Sequence, residues 1–151
     1  MLLVLVGLSM GWLTFAPTAL GGSASYVITE GRSMLPAFVA NGLVITRTRD
    51  DYQVGEVVAY HNQQLHAVVM HRIIGRDGDR YVLQGDNNDF IDSYRPNHAE
   101  IVGQKWIYWP SGGKYFMFLR SPLNFAMIIG VITLLNLRPP HRSRRRTRHH
   151  S

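Results

Sequence analysis

Apolar and polar positions divide the chain into two apolar runs on either side of a polar middle segment. Residues 2–20 carry no charged side chain, and residues 121–137 form a second uncharged run. At a rise of about 1.5 Å per helical residue, the first run nearly crosses a hydrocarbon core of about 30 Å, and the second reaches the lower length limit. We therefore predict an N-terminal transmembrane anchor over residues 1–22 and a C-terminal transmembrane helix over residues 121–137.

Both runs have alternative interpretations. The first could be a cleaved signal peptide, because small residues follow at 21–25, or a buried core helix. A signal peptide usually has a shorter apolar part and a positively charged start, which is missing here, so we favour the uncleaved anchor. The second run could instead be an amphipathic helix on the surface.

The middle segment has the pattern of short β-strands. Turn signals at Asn41-Gly42, His61–Gln64 and Asp77-Gly78 separate stretches that are rich in apolar and β-branched residues. These stretches are residues 26–29, 43–46, 56–60, 67–74, 81–84 and 101–109. Asp77-Gly78 is the predicted turn of a hairpin. The predicted fold class is mainly β, with a small antiparallel β-rich domain over residues 26–112.

The net charge of +6 belongs to a tail and not to the middle segment. Residues 138–151 hold six arginines and no acidic residue, and the rest of the chain has ten basic and ten acidic side chains. This balance of charges argues against a basic nucleic-acid-binding domain. An arginine-rich tail after an apolar run fits the cytoplasmic side of a membrane, so residues 26–112 would lie outside the cytoplasm. Contact of the tail with anionic lipid or RNA is the alternative.

Two polar residues stand out within the predicted strands and turns. Ser33 lies in Gly31-Arg32-Ser33-Met34-Leu35-Pro36, where an extended chain must turn before the proline. His71 lies inside an apolar strand, where an imidazole must find a partner or be desolvated at a cost. A serine nucleophile needs such a base. A plain turn and a structural histidine are the alternatives. Cysteine is absent, which excludes a cysteine nucleophile, disulfides and thiolate metal sites.

A cluster of acids follows the fifth predicted strand. The stretch Gln84–Asp92 contains Asp86, Asp89 and Asp92, and one of them could orient a histidine base. An Asx-rich turn is the alternative. A calcium-binding loop matches poorly, because Ile91 stands where its glycine is expected.

The ordered motifs GRSMLP, GEVVAYH, VVMHRIIG, LQGDNNDFID and IVGQ together resemble type I signal peptidases. The similarity covers roughly residues 26–109 and is greatest to the endoplasmic-reticulum-type branch, which also occurs in archaea and some Gram-positive bacteria. That branch has a histidine at the place of His71, where the bacterial branch has lysine. Many relatives have serine two positions before the nucleophile, but this chain has Gly31 there.

The resemblance implies a signal-peptidase-like β-rich fold and a serine endopeptidase without metal or cofactor. It implies Ser33 as nucleophile, His71 as base, Asp92 as the acid that orients His71, and Asp86 in support of the same network. Substrates would be signal-peptide-bearing preproteins with small residues at positions −1 and −3 from the cut.

The two apolar runs and the arginine-rich tail, taken with the resemblance, predict an integral protein of the plasma membrane. The catalytic domain would lie on the extracytoplasmic side and residues 138–151 would form a basic cytoplasmic tail. Expected partners are the lipid bilayer and the secretion translocon, with no nucleic acid. The alternatives are a peptidase dedicated to one or a few exported proteins, a non-catalytic membrane scaffold of the same fold, and an RNA- or lipid-binding protein that acts through its tail.

Overall fold

The structure of the protein is a computed structural model that describes residues 9–12 and 14–136. The chain forms two compact units, Met1–Phe116 and Met117–Ser151. Of the predicted N-terminal anchor, residues 1–8 and 13 lie outside the described residues. The predicted basic tail lies wholly outside them.

The first unit contains a six-stranded antiparallel sheet with the strand order β1-β2-β6-β3-β4-β5. Its strands are β1 Ala24–Ile28, β2 Leu43–Arg47, β3 Val57–Asn62, β4 Ala67–Asp77, β5 Arg80–Gln84 and β6 Ile101–Trp109. All six stretches that were predicted from apolar and β-branched residues are strands. The mainly antiparallel β fold is therefore confirmed.

Two predicted turns lie slightly further along the chain than expected. Asp77 is still paired with Arg80 in the β4–β5 hairpin, so the turn is Gly78-Asp79, with a left-handed φ of 62° at Gly78. Glycine adopts this conformation without a steric penalty. Strand β3 continues to Asn62, so the predicted turn at His61–Gln64 is instead a turn after Asn62.

Hydrophobic side chains pack on both faces of the sheet. The first cluster consists of Tyr52, Val58, Tyr60, Ile73, Tyr81, Leu83 and Ile101. The second consists of Met34, Phe38, Val44, Val57, Ala59 and Met70. Consecutive residues of β3 are buried because this strand contributes to both clusters. Burial on both faces explains why the sequence of β3 is a continuous apolar run and does not alternate between apolar and polar residues.

Two helices follow β6: α1, Gly112–Arg120, and α2, Pro122–Asn136. Helix α1 was not predicted, and α2 covers most of the predicted span at 121–137. Among the described residues, no single helix is long and apolar enough to cross a bilayer, and only the pair α1 and α2 together, interrupted at Ser121, meets that test. The two predicted transmembrane helices therefore stay predictions.

Candidate active site

The loop that carries Ser33, residues 30–41, is closed at its base by a threonine. Thr29 donates its hydroxyl hydrogen to the carbonyl oxygen of Val39 at 2.6 Å, and the Gly42 backbone N–H donates to the Thr29 hydroxyl at 3.0 Å. Met34 and Phe38 anchor the loop in the second hydrophobic cluster, with about 5% of each exposed. These contacts hold the Ser33 loop against the sheet, so that its conformation does not depend on Ser33 alone.

Ser33 is half-buried, and its backbone has two distinct environments. Its carbonyl oxygen accepts a hydrogen bond from the Asn87 backbone N–H at 2.8 Å. Its own N–H makes no hydrogen bond to any part of the chain that the structure describes. An unpaired N–H next to a serine hydroxyl is available to an oxyanion. Gly31, two residues before, has a left-handed φ of 78°, which a serine at this position would adopt only with strain.

His71 lies in β4 opposite Val58 and is 7% exposed. Its Nδ1 lies 2.5 Å from Oδ2 of Asp92. An ionised carboxylate only accepts hydrogen bonds, so in the neutral imidazole this contact places the proton on Nδ1, and Nε2 is then the nitrogen that carries a lone pair. A histidine held in this tautomer can accept a proton at Nε2 from a neighbouring hydroxyl.

Asp92 is held in place through its backbone and its side chain. Its backbone N–H donates to the carbonyl oxygen of Leu83 in β5 at 2.9 Å. The Tyr60 hydroxyl donates to Asp92 Oδ2 at 3.0 Å, the same oxygen that contacts His71. Burial raises the pKa of the Tyr60 phenol, and the charge of Asp92 and the hydrogen bond to it raise that pKa further. Tyr60 therefore remains a protonated donor.

Asp86 lies in a different environment from the one that the sequence indicated. Its two carboxylate oxygens accept from Nε and Nη2 of Arg72 at 2.8 and 2.6 Å, and Nη1 of Arg72 donates to the Gly55 carbonyl at 2.7 Å. The hydrogen bond to Asp86 raises the pKa of Arg72. Within the described residues, no hydrogen bond joins Asp86 to His71 or Asp92. The structure thus brings His71 and Asp92 together and holds Asp86 on a neighbouring arginine.

The Ser33 backbone and the imidazole of His71 approach a common point at Gly85. A Cβ atom on Gly85 would lie 2.6 Å from the Ser33 carbonyl oxygen and 3.0 Å from His71 Nε2. No hydrogen bond joins the Ser33 hydroxyl to His71 within the described residues, and such bonds often form only in the complex with substrate. Among Ser33, His71, Asp92 and Asp86, the first three therefore lie together.

A cleft of about 680 Å³ opens at Ser33 and His71. Apolar residues dominate its walls: Val27 and Ile28 of β1, Val68 and Met70 of β4, and Val102 of β6. Strand β1 is an edge strand, so within the part of the chain that the structure describes one of its sides has no neighbouring strand. A peptide in extended form could pair with such an edge.

Three residues at the site were not singled out from the sequence: Tyr60, Arg72 and Gly85. A signal existed for Tyr60, because its phenolic hydroxyl, like the His71 imidazole, is a polar group within an apolar strand. Pairing of Arg72 with Asp86 and the close packing at Gly85 depend on how β4 and β5 meet in space, which the order of residues does not show. In residues 9–12 and 14–136, no three acidic or histidine side chains are grouped as metal ligands.

A serine beside a cleft, with a histidine and an aspartate in hydrogen-bond contact, is an arrangement typical of serine hydrolases. Three curated proteins similar to this chain are signal peptidase catalytic subunits. The signal peptidase complex catalytic subunit SEC11 of Metarhizium acridum is 27% identical over 148 residues, which are 88% of this chain and 86% of the relative. Proteins of the same name from Pyrenophora teres f. teres and Leptosphaeria maculans are 28% and 27% identical over 141 residues, covering 88% of this chain and 75% of each relative. No family model matches the chain.

Proposed function

We propose that this protein is a type I signal peptidase of the Ser-His class, a membrane-bound serine endopeptidase that removes signal peptides from exported preproteins. The observation that carries the proposal is the contact between His71 Nδ1 and Asp92 Oδ2 at the end of an apolar cleft that also borders Ser33. The names of the three relatives support removal of signal peptides as the activity.

In the proposed reaction, Ser33 Oγ attacks the carbonyl carbon of the scissile peptide bond and its proton passes to His71 Nε2. Asp92 remains ionised and stabilises the imidazolium that forms. The Ser33 backbone N–H donates to the oxyanion of the tetrahedral intermediate. His71 then gives its proton to the leaving amine, and an acyl-enzyme remains on Ser33. A water molecule, deprotonated by His71, hydrolyses this ester and regenerates the serine.

The apolar cleft is the proposed binding site for the residues before the cut. An extended peptide along β1 would present alternate side chains to the cleft, since successive side chains of a strand point to opposite faces. Preference for small residues at positions −1 and −3 is compatible with this alternation and follows from the family resemblance. Asp86, which we predicted in the same network, is proposed to act through Arg72.

The proposal includes the transmembrane segments and the topology that we predicted from the sequence. We propose that residues 1–22 and 121–137 anchor the protein in the plasma membrane, with the β-rich domain on the extracytoplasmic side and residues 138–151 in the cytoplasm. The side chains of α2 that the structure describes are largely apolar and exposed, among them Leu123, Phe125 and Leu134, which supports apolar surroundings for this helix. The bilayer, signal-peptide-bearing preproteins and the secretion translocon are the proposed partners.

The test is cleavage of a purified preprotein by the full chain in detergent, with the cut mapped by mass spectrometry of both products. We expect one cut after a small residue at the end of the signal peptide. Ser33→Ala should abolish it while leaving the melting temperature unchanged, because only a hydroxyl is lost. The exposed Ser93 provides a matched control, and Ser93→Ala should cleave like the wild type. Ser33→Ala activity within about tenfold of the wild type would remove Ser33 from the mechanism.

A further inference from the structure

Arg47, the last residue of β2, is partly buried and lies on the face of an aromatic ring. Its guanidinium carbon is 3.7 Å from the centre of the Trp106 ring of β6. The pairing of β2 with β6 shifts register between Ile45 and Thr46, directly before Arg47. A bulge of this kind changes the direction of nearby side chains. The irregular pairing thus accompanies an arginine that stacks on the indole of the neighbouring strand.

The guanidinium of Arg47 forms no ion pair within the part of the chain that the structure describes. Its Nε is buried and has no hydrogen-bond partner in residues 9–12 and 14–136. The remaining residues of the sequence include no aspartate or glutamate. A buried polar atom without a partner costs free energy, and an arginine keeps its charge at any ordinary pH. Arg47 therefore requires an anion that the acidic side chains of this chain do not supply.

The Trp106 ring also contacts the N-terminal apolar run. The centre of the Phe15 ring is 5.2 Å from that of Trp106. Earlier in the same run, Met10 and Trp12 are 66% and 57% exposed, as expected for side chains that face lipid. Since residues 1–22 are the proposed anchor, the contact with Trp106 lies where the anchor meets the β-rich domain. The guanidinium stacked on Trp106 is thus at the depth of the lipid headgroups.

We propose that Arg47, stacked on Trp106, binds the phosphate group of a membrane phospholipid. The inference rests on the proposed function, because it takes residues 1–22 as a membrane anchor. A lipid phosphate is the anion that the bilayer offers at this depth, and a guanidinium can donate two parallel hydrogen bonds to it. Indole rings are enriched at the same level of a bilayer. The contact holds the β-rich domain, and with it the cleft at Ser33, at one height above the membrane.

Native mass spectrometry of the full chain, released from a non-ionic detergent, tests the site without relying on catalysis. The probes are a short-chain phosphatidylglycerol, a diacylglycerol with the same acyl chains, and inorganic phosphate. Diacylglycerol lacks the phosphate and inorganic phosphate lacks the acyl chains, so the three probes separate a phospholipid site from an apolar contact and from a site for free anions. We expect saturable binding of phosphatidylglycerol, with the other two at least about tenfold weaker. Equal binding of either, or no saturable binding of phosphatidylglycerol, overturns the proposal.

Arg47→Gln is the direct test of the side chain, with Arg49→Gln as its matched control. Arg49 is exposed two residues further along the chain, and among the described residues it stacks on no aromatic ring. Both variants remove one positive charge, so a general effect of charge on an anionic lipid is the same in both. We expect Arg47→Gln to weaken phosphatidylglycerol binding by about tenfold or more, and Arg49→Gln to stay within about threefold of the wild type. An equal loss in both variants, or a folded Arg47→Gln that binds like the wild type, overturns the proposal.

Melting temperatures accompany each variant, because Arg47 also packs on Trp106. If Arg47→Gln does not fold, Arg47→Lys decides, since lysine keeps the charge and loses the planar fork of donors. It should bind phosphatidylglycerol about three- to tenfold more weakly than the wild type, whereas Arg49→Lys should bind equally well. Wild-type affinity in Arg47→Lys, or failure of this variant to fold, then overturns the proposal. A wild type that binds the lipid through Arg47 but cleaves no preprotein supports the phosphate site and counts against the peptidase assignment.

Discussion

The hydroxyl of Tyr60 and the carboxylate of Asp92 form a hydrogen bond of 3.0 Å across the buried face of the sheet. Tyr60 is 1% exposed and reaches Asp92 from β3, while His71 reaches the same oxygen from the neighbouring β4. The aspartate is therefore fixed from two strands, and its orientation toward His71 does not depend on the histidine alone. A carboxylate held by two donors has little freedom to rotate away from the imidazole.

Removal of the Tyr60 hydroxyl should weaken this arrangement without abolishing it. We expect Tyr60→Phe to lower kcat by about three- to tenfold, the usual net value of one hydrogen bond, with KM unchanged. Tyr94→Phe is the control, because Tyr94 stacks on Tyr60 but donates its hydroxyl to Glu100. Steady-state kinetics on a preprotein peptide measure the effect, and equal kcat values for the two variants would show that Tyr60 only fills space.

The raised pKa of Tyr60 also predicts how stability changes at alkaline pH. A phenol whose pKa is higher in the folded state keeps its proton while the unfolded chain loses it, at about pH 10. This contribution is present below that pH and is lost as the pH rises further. The free energy of unfolding, measured in urea, should therefore fall between pH 9 and 11. It should fall less in Tyr60→Phe than in the wild type. An identical slope in both proteins would contradict the assignment.

Asp86 and Asp92, two of the three acids of the Gln84–Asp92 stretch, should differ sharply when each is changed to its amide. Asp92→Asn should lower kcat by about 10⁴-fold, because an amide no longer fixes the proton on His71 Nδ1. Asp86→Asn loses one side of the pair with Arg72, so it should lower the melting temperature and reduce kcat only modestly. Kinetics and thermal unfolding of both variants separate these effects. A harmless Asp92→Asn beside an inactive Asp86→Asn would reverse the roles.

Much of this fold could be predicted from the residues, and the exceptions have physical reasons. The strands follow from β-branched and apolar residues, and His71 was conspicuous because an imidazole in an apolar strand requires a partner. Asp86 and Asp92 could not be ranked by pattern, since both are acids in one polar stretch. What separates them is the pairing of β4 with β5, which puts Arg72 opposite Gln84, two residues before Asp86.

Helix α1 was missed for a different reason. Its sequence begins with two glycines and continues with aromatic residues, which are weak helix formers. The close approach of backbone explains the glycines: a Cβ on Gly112 would lie 2.8 Å from the Trp109 ring, and one on Gly113 2.7 Å from the Asn41 carbonyl oxygen. Tertiary contact at the start of α1 thus overrides the low helix propensity of these residues, and that contact cannot be predicted from the sequence alone.

A short 3₁₀ helix, His98–Glu100, precedes β6, and in its capping box the side chains of Asn97 and Glu100 each accept a hydrogen bond from the other's backbone N–H. This capping box gives a prediction at acid pH. The Tyr94 hydroxyl and the Asn97 backbone N–H donate to the Glu100 carboxylate. Both hydrogen bonds lower the pKa of Glu100, and the one from Tyr94 has the larger effect. A carboxyl group whose pKa is lower in the folded state stabilises above its unfolded pKa of about 4.3, and this contribution is lost as the pH falls through the folded value. Melting temperatures between pH 7 and 3 should decline less steeply in Glu100→Gln. Parallel curves would show that the box contributes no pH dependence.

The proposed topology can be tested cleanly because the chain contains no cysteine. Gln64 lies exposed in the turn between β3 and β4, and Ser143 belongs to the arginine-rich stretch. If the β-rich domain is extracytoplasmic and residues 138–151 are cytoplasmic, a membrane-impermeant maleimide should label Gln64→Cys in intact cells and leave Ser143→Cys unlabelled. After permeabilisation both should react, which controls for the reactivity of each thiol. Labelling of Ser143→Cys but not Gln64→Cys in intact cells would invert the topology, and a peptidase with its cleft in the cytoplasm could not cut exported preproteins after translocation.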